Sequence, residues 1–150
     1  MKIFFDVDDT IISSQTGGLR PLVRDVFEAL RSDGHDLYVW SAMGIRWVAL
    51  ERHALKQMVL DCYPKPNGRG WNVHLPVKPD FVVDDEAQVV ERFGGYRVAP
   101  YLEDDPRDRA MLEVLSAIRS AAPSHLSPRK SREVAREPEA PDGTSTSLLM

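Results

Sequence analysis

Two pairs of aspartates carry the chemical interest of this chain: Asp6 and Asp8 in MKIFFDVDDT, and Asp84 and Asp85 in FVVDDEA. Each pair follows a short apolar run, so the carboxylates sit where buried backbone meets a turn. Gathered in one cleft, these four carboxylates repel each other and are driven to protonate unless a cation joins them. A hard divalent ion removes the conflict, and oxygen-only ligands with retained waters suit Mg²⁺. The basic Lys78 and the hydroxyl of Ser41 then read as phosphate ligands rather than metal ligands. Mg²⁺, a lysine and a free carboxylate together describe phosphoryl transfer to an aspartate nucleophile.

Such a cluster needs elements that bring it to one place. Residues 1–122 alternate strand-like and helix-like patterns. KIFFD (2–6), DLYVW (36–40), VLDCY (59–63), DFVVDD (80–85) and YRVAP (96–100) read as strands. Pro21 opens a helix with Leu22, Val23, Val26, Phe27 and Leu30 on one stripe, ended by Asp33-Gly34. A second helix is expected over about 45–57, and a short one with Val89, Val90 and Phe93 ends at Gly94-Gly95. Asp105-Pro106 is expected to cap a final helix with Met111, Leu112, Leu115 and Ile118 inward. Strict alternation predicts an α/β fold: a single Rossmann-like domain of about five parallel strands sandwiched by helices. Ligands in such sheets bind beyond the carboxyl ends of the strands. Asp6, Ser41 and Asp84-Asp85 all stand at such ends, and Lys78 lies just before the fourth strand.

DVDDT after a strand, Ser41 closing the second, Lys78, and VVDD closing the fourth resemble, in order, the four motifs of the haloacid dehalogenase superfamily. The likeness spans roughly residues 1–105, and GHDLYVWSAMG and VKPDFVVDDEA resemble its small cap-less phosphatases. The resemblance implies that Asp6 attacks phosphorus and forms an aspartyl-phosphate while also binding Mg²⁺. It gives Asp8 the general acid/base role, with its backbone carbonyl on the metal, and gives Thr10 the positioning of Asp8. Ser41, helped by backbone N–H groups of Asp9 and Ala42, would hold a phosphoryl oxygen, and Lys78 would offset charge on nucleophile and phosphate. Asp84 and Asp85 would complete the metal site, with Asp85 favoured as the direct ligand. Because Asp8 is present, the implied activity is hydrolysis of a phosphate monoester; dehalogenases of the superfamily lack that second aspartate. Only residues 11–20 separate Thr10 from Pro21, and a helix, a strand and a loop use up the span from Ser41 to Lys78. That leaves room for a flap but for no cap domain, so the expected site is open, or shielded by a second copy in a homodimer.

Several alternatives stand beside this reading. A phosphotransferase would use the same residues with an alcohol as acceptor, and a non-catalytic member would bind a phospho-ligand or a protein. An EF-hand fails, since its sixth and twelfth positions would be Ile11 and Gly17. A response-regulator receiver would place its phospho-acceptor where this chain has Tyr63-Pro64. Lys65 rivals Lys78, because it too precedes a proline; the spacing to Asp84 favours Lys78. Lys65, Arg69, Trp71 and His74 lie in a long Pro/Gly-rich loop that could meet substrate, while His35 and His53 receive no role.

Composition bounds the rest. With 150 residues, 43% of them hydrophobic and 28% charged, the chain fits one soluble globular domain. The lone Cys62 reads as a buried small hydrophobe. A net charge of −4 weighs against broad nucleic-acid binding, though a polynucleotide end stays open with nucleotides, sugar phosphates and phosphoproteins as substrate. No apolar run approaches ~18 residues, and the early aspartates do not suit a signal peptide, so a cytoplasmic protein without membrane partners is expected. Residues 123–150 hold four prolines, no aromatic residue and balanced charges, the composition of a disordered tail.

Overall fold

In the computed structural model, which describes residues 1–66 and 75–123, the first apolar run forms β1 (Lys2–Asp6). Its side chains alternate between two faces of a sheet, Ile3 and Phe5 on one and Phe4 on the other. The other strands are β2 (Asp36–Ser41), β3 (Asp61–Pro64), β4 (Phe81–Asp84) and β5 (Gly95–Arg97). All pair in parallel in the order β3-β2-β1-β4-β5. The chain builds outward from β1 to β3 and then restarts on β1's other side with β4. The carboxyl end of β1 is therefore the switch point of the sheet, where open α/β folds bind ligands.

The first face carries α1 (Val23–Ser32) and α4 (Ala110–Ala121), whose buried Val23, Val26, Phe27, Leu30, Met111, Val114 and Ile118 pack on Ile3, Phe5, Leu37, Val39 and Val83. Burying each such side chain contributes about 1.5–3 kcal/mol. The other face is aromatic: Phe4 stacks on Tyr38 at 4.9 Å, and Trp40 meets Phe4 at 5.0 Å and Phe93 edge-on at 5.2 Å. Phe93 and Val89 come from α3 (Ala87–Phe93), which closes this face with Leu75 and Val77. Among the described residues no helix is long and apolar enough to cross a membrane.

Several element boundaries differ from expectation for identifiable reasons. The helix expected over 45–57 is only α2 (Trp47–Arg52), followed by a 3-10 turn at Lys56–Met58. Ala54 adopts a left-handed φ of 56°, and the Leu55 and Ala54 N–H groups donate to the Leu50 and Glu51 carbonyls. That is a Schellman cap, and it turns Leu55 beside Leu50 into the core. Gly34, with φ 91°, ends α1 the same way, at the expected Asp33-Gly34. β3 starts two residues later than expected, and β5 begins already at Gly95 and stops at Arg97. A Cβ on Gly95 would collide with the Val82 carbonyl and lie 2.6 Å from its amide nitrogen, so β5 packs against β4 only because residue 95 has no side chain. α4 begins at Ala110, because Asp105 closes a separate turn on Arg107 and Asp108; Val114 then points inward and Leu112 outward. The expected disordered segment, from residue 124 onward, lies outside the described residues, as do Arg69, Trp71 and His74.

Candidate functional site

β1 breaks into a tight turn at once after Asp6. The Val7 carbonyl accepts hydrogen bonds from the Thr10, Ile11 and Ile12 N–H groups, and Asp9 takes a left-handed φ of 61°. This coil aims Asp6 and Asp8 into one cleft of about 470 Å³ and folds Thr10 back under them. The buried Thr10 hydroxyl lies 3.0 Å from Asp6 Oδ2 and 3.3 Å from Asp85 Oδ1. It thus bridges the ends of β1 and β4 and fixes the Asp6 carboxyl, rather than Asp8. Residues 11–20 form a small flap, pinned where His53 Nε2 donates to the Gly17 carbonyl at 2.8 Å.

Asp6, Asp84 and Asp85 offer carboxylate oxygens that all lie within 4.8 Å of one another. Among the described residues a single ammonium reaches into this group, Lys65 Nζ, 3.3 Å from Asp6, 3.1 Å from Asp84 and 3.8 Å from the exposed Glu86. Burial and the Asp84 charge push the Asp6 carboxyl up to about 8 against the pull of Lys65. Burial likewise raises Asp84 to about 6, although the Glu86 N–H and Lys65 stabilise its charge. Burial works against the charge of Lys65 too, yet Asp6 and Asp84 hold its ammonium above the ordinary lysine value. The donor set is thus oxygen-only and short of positive charge, which fits a hard divalent cation. Asp85 lines the cleft, whereas Asp84 is fully buried with its oxygens on Lys65 and the Glu86 N–H.

Asp8 lines the same cleft with partners of its own. Ser41 donates to its Oδ2 at 2.7 Å and Arg46 Nη2 to its Oδ1 at 3.1 Å. The Ser41 hydroxyl is itself set by the Met43 N–H at 3.0 Å. Ala42 lines the cleft as its neighbour. Neither a scan against protein-family models nor a search of curated proteins finds a match for this chain.

Of the residues singled out from the sequence, Asp6, Asp8, Asp9, Ala42 and Asp85 line the cleft, and Thr10, Ser41 and Asp84 support them from behind. Besides Thr10, which fixes Asp6 rather than Asp8, and Ser41, whose buried hydroxyl is given to Asp8 rather than left open to a phosphoryl oxygen, two more expectations are corrected. Lys78 is exposed and precedes the amino end of β4, at the sheet edge opposite the cleft; there its neighbour Asp80 bonds Lys2. Lys65 holds the position instead, because β3 pairs with β2 as far as Ser41 and Pro64, delivering the next residue to the carboxyl edge. The Asp9 N–H donates to the Ile12 carbonyl at 2.7 Å and is not turned to a ligand. Sequence reasoning missed Arg46, Arg52 and His53 on the cleft wall. The signal for them was position, since α2 starts just after the carboxyl end of β2.

Proposed function

We propose that this protein is a Mg²⁺-dependent phosphatase that hydrolyses a phosphate monoester through an aspartyl-phosphate on Asp6. The observation that carries the reading is the convergence of Asp6, Asp84, Asp85 and Lys65 at the switch point of a parallel sheet, with Asp8 lining the same cleft. The order of DVDDT, Ser41 and VVDD along the chain, shared with the haloacid dehalogenase superfamily, supports it.

Asp6, Asp85 and the Asp8 backbone carbonyl would hold the metal, with Asp84 behind them. When bound, Mg²⁺ supplies Lewis-acid neutralisation of charge on the carboxylates and the phosphoryl oxygens. One Asp6 oxygen attacks phosphorus while the ester oxygen departs, taking a proton from Asp8. Asp8, again a carboxylate, then removes a proton from the water that attacks phosphorus and releases Asp6 and inorganic phosphate. Lys65 offsets charge on Asp6 and the phosphoryl group, and Ser41 and Arg46 set the orientation of Asp8. A reducing, cytoplasmic setting accords with the single buried Cys62.

The test is hydrolysis of an aryl phosphate with Mg²⁺ and with chelator, for wild type and Asp6→Asn. Turnover that requires Mg²⁺ and disappears in Asp6→Asn is the expected result. Turnover indifferent to both, or a wild type that neither turns over nor is stabilised by Mg²⁺, overturns the proposal.

A further inference from the structure

The cleft has a second wall that phosphoryl transfer does not require. Arg46, Ala49, Arg52 and His53 recur at helical spacing along and beside α2 and face the acidic cluster. Arg46, Ala49 and Arg52 also line an adjoining depression of about 230 Å³, flanked by the exposed apolar side chains of Ile45 and Val48. Ala49, small enough to leave both depressions open, lines each of them together with the two arginines. On a chain of net charge −4, this wall concentrates cations. Internal partners use them only in part. Arg46 gives one nitrogen to Asp8, while its buried Nε has no partner among the described residues. Arg52 has no hydrogen bond or ion pair among the described residues, and the nearby Glu51 is bonded to Lys56 at 2.6 Å. The main cleft, at about 470 Å³, is sized for a whole small molecule rather than a phosphoryl group alone.

We propose that the Arg46–Ala49–Arg52 face of α2 binds a second anionic group, so that the preferred substrates are phosphomonoesters bearing a further carboxylate or phosphate. The inference rests on the phosphatase reading for the position of the first phosphoryl group, and it assigns Arg52 a role in substrate choice. A guanidinium fork suits either oxyanion, and the separation of Arg52 from the acidic cluster across the cleft sets the distance between the two anionic ends.

The experiment separates binding from turnover. Mg²⁺-loaded Asp6→Asn protein is titrated calorimetrically with ω-carboxyalkyl phosphates of graded length and with the matching alkyl phosphates. At the best length the carboxylated ligand is expected to bind roughly ten- to a hundredfold more tightly, the worth of a hydrogen-bonded charge. Adding Arg52→Ala brings the ratio towards one, and Arg52→Lys restores part of it. Equal affinities at every length, or a preference that survives Arg52→Ala, overturn the inference. Wild-type hydrolysis of the same esters is followed separately. A binding preference with neither turnover nor stabilisation by Mg²⁺ leaves the second-anion site standing and removes the phosphatase reading; turnover without preference does the reverse.

Discussion

Among the described residues, two cations with buried side chains meet carboxylates, with opposite outcomes. Arg20 is 1% exposed and fully matched: its guanidinium grips Asp108 through two nitrogens at 2.9 and 3.1 Å. It also donates to the Thr10 and Ala99 carbonyls at 3.2 and 2.8 Å and lies 5.4 Å from the centre of the Tyr101 ring. One positive charge faces one negative charge, and the result is a knot tying the flap to the loop before α4. The Lys65 side chain is 4% exposed and faces Asp6, Asp84 and Glu86, with Asp85 close by. The balanced cluster fixes shape. The unbalanced one keeps two carboxyls raised to about 8 and about 6, a standing demand for positive charge that a packing device would not retain.

The sharpest way to test the contrast is to remove a member of each cluster. Asp6→Asn is expected to lower kcat by at least roughly 10⁴-fold, as loss of a nucleophile does, without lowering the Tm of the metal-free protein, since it deletes a carboxylate held near others. Arg20→Met is expected to do the opposite. Breaking a buried pair leaves Asp108 and two carbonyls without their donor and costs about 3–5 kcal/mol in denaturant unfolding, with far less change in kcat per folded molecule.

The third expectation concerns metal and pH together. Asp6 titrates at about 8 in the folded protein against an ordinary 3.8, so the folded state holds a proton that the unfolded chain gives up. Its contribution to stability is fully present below about 4 and is lost as pH rises through about 8. Mg²⁺ displaces that proton, so its stabilising effect grows over the same rise. At a hundredfold excess over Kd it reaches about 2.7 kcal/mol. A Tm series across pH, with Mg²⁺ and with chelator, reads this directly, and Asp85→Asn should flatten it. The smallest effect is expected for Lys78→Ala: unfolding free energy within about 0.5 kcal/mol of wild type and unchanged kcat, because an exposed lysine at the far edge joins neither cluster.

The strands were legible because KIFFD, DLYVW and FVVD are apolar runs that stop at polar residues, and their alternation decides a parallel sheet. The acidic positions at strand ends followed from the same pattern. Lys65 was harder to read because spacing counts along the chain, whereas the cleft is chosen by which edge of the sheet a residue leaves from. Two lysines before prolines look alike until pairing of β3 to β2 sends one to the carboxyl edge and β4 begins beyond the other. The shortening of α2 was hidden for another reason. Ala54 is a good helix former, and its left-handed turn follows from burial of Leu55 against Leu50 rather than from its own preference. Arg20 was equally silent, since its partners Asp108, Thr10 and Ala99 come from distant parts of the sequence.

Trp40 gives the protein an optical label of its own. Its indole is sealed from solvent between Phe4 and Phe93, and its Nε1–H has no acceptor among the described residues. Such a ring emits at short wavelength and is shielded from aqueous quenchers. Trp47, half-buried with the Lys56 ammonium 5.7 Å from its ring centre, emits further to the red than Trp40 and is reached by iodide before it. Trp40 is one peptide bond from Ser41, whose hydroxyl rests on Asp8, so the blue edge of the emission spectrum follows the seating of the cleft floor without any added dye.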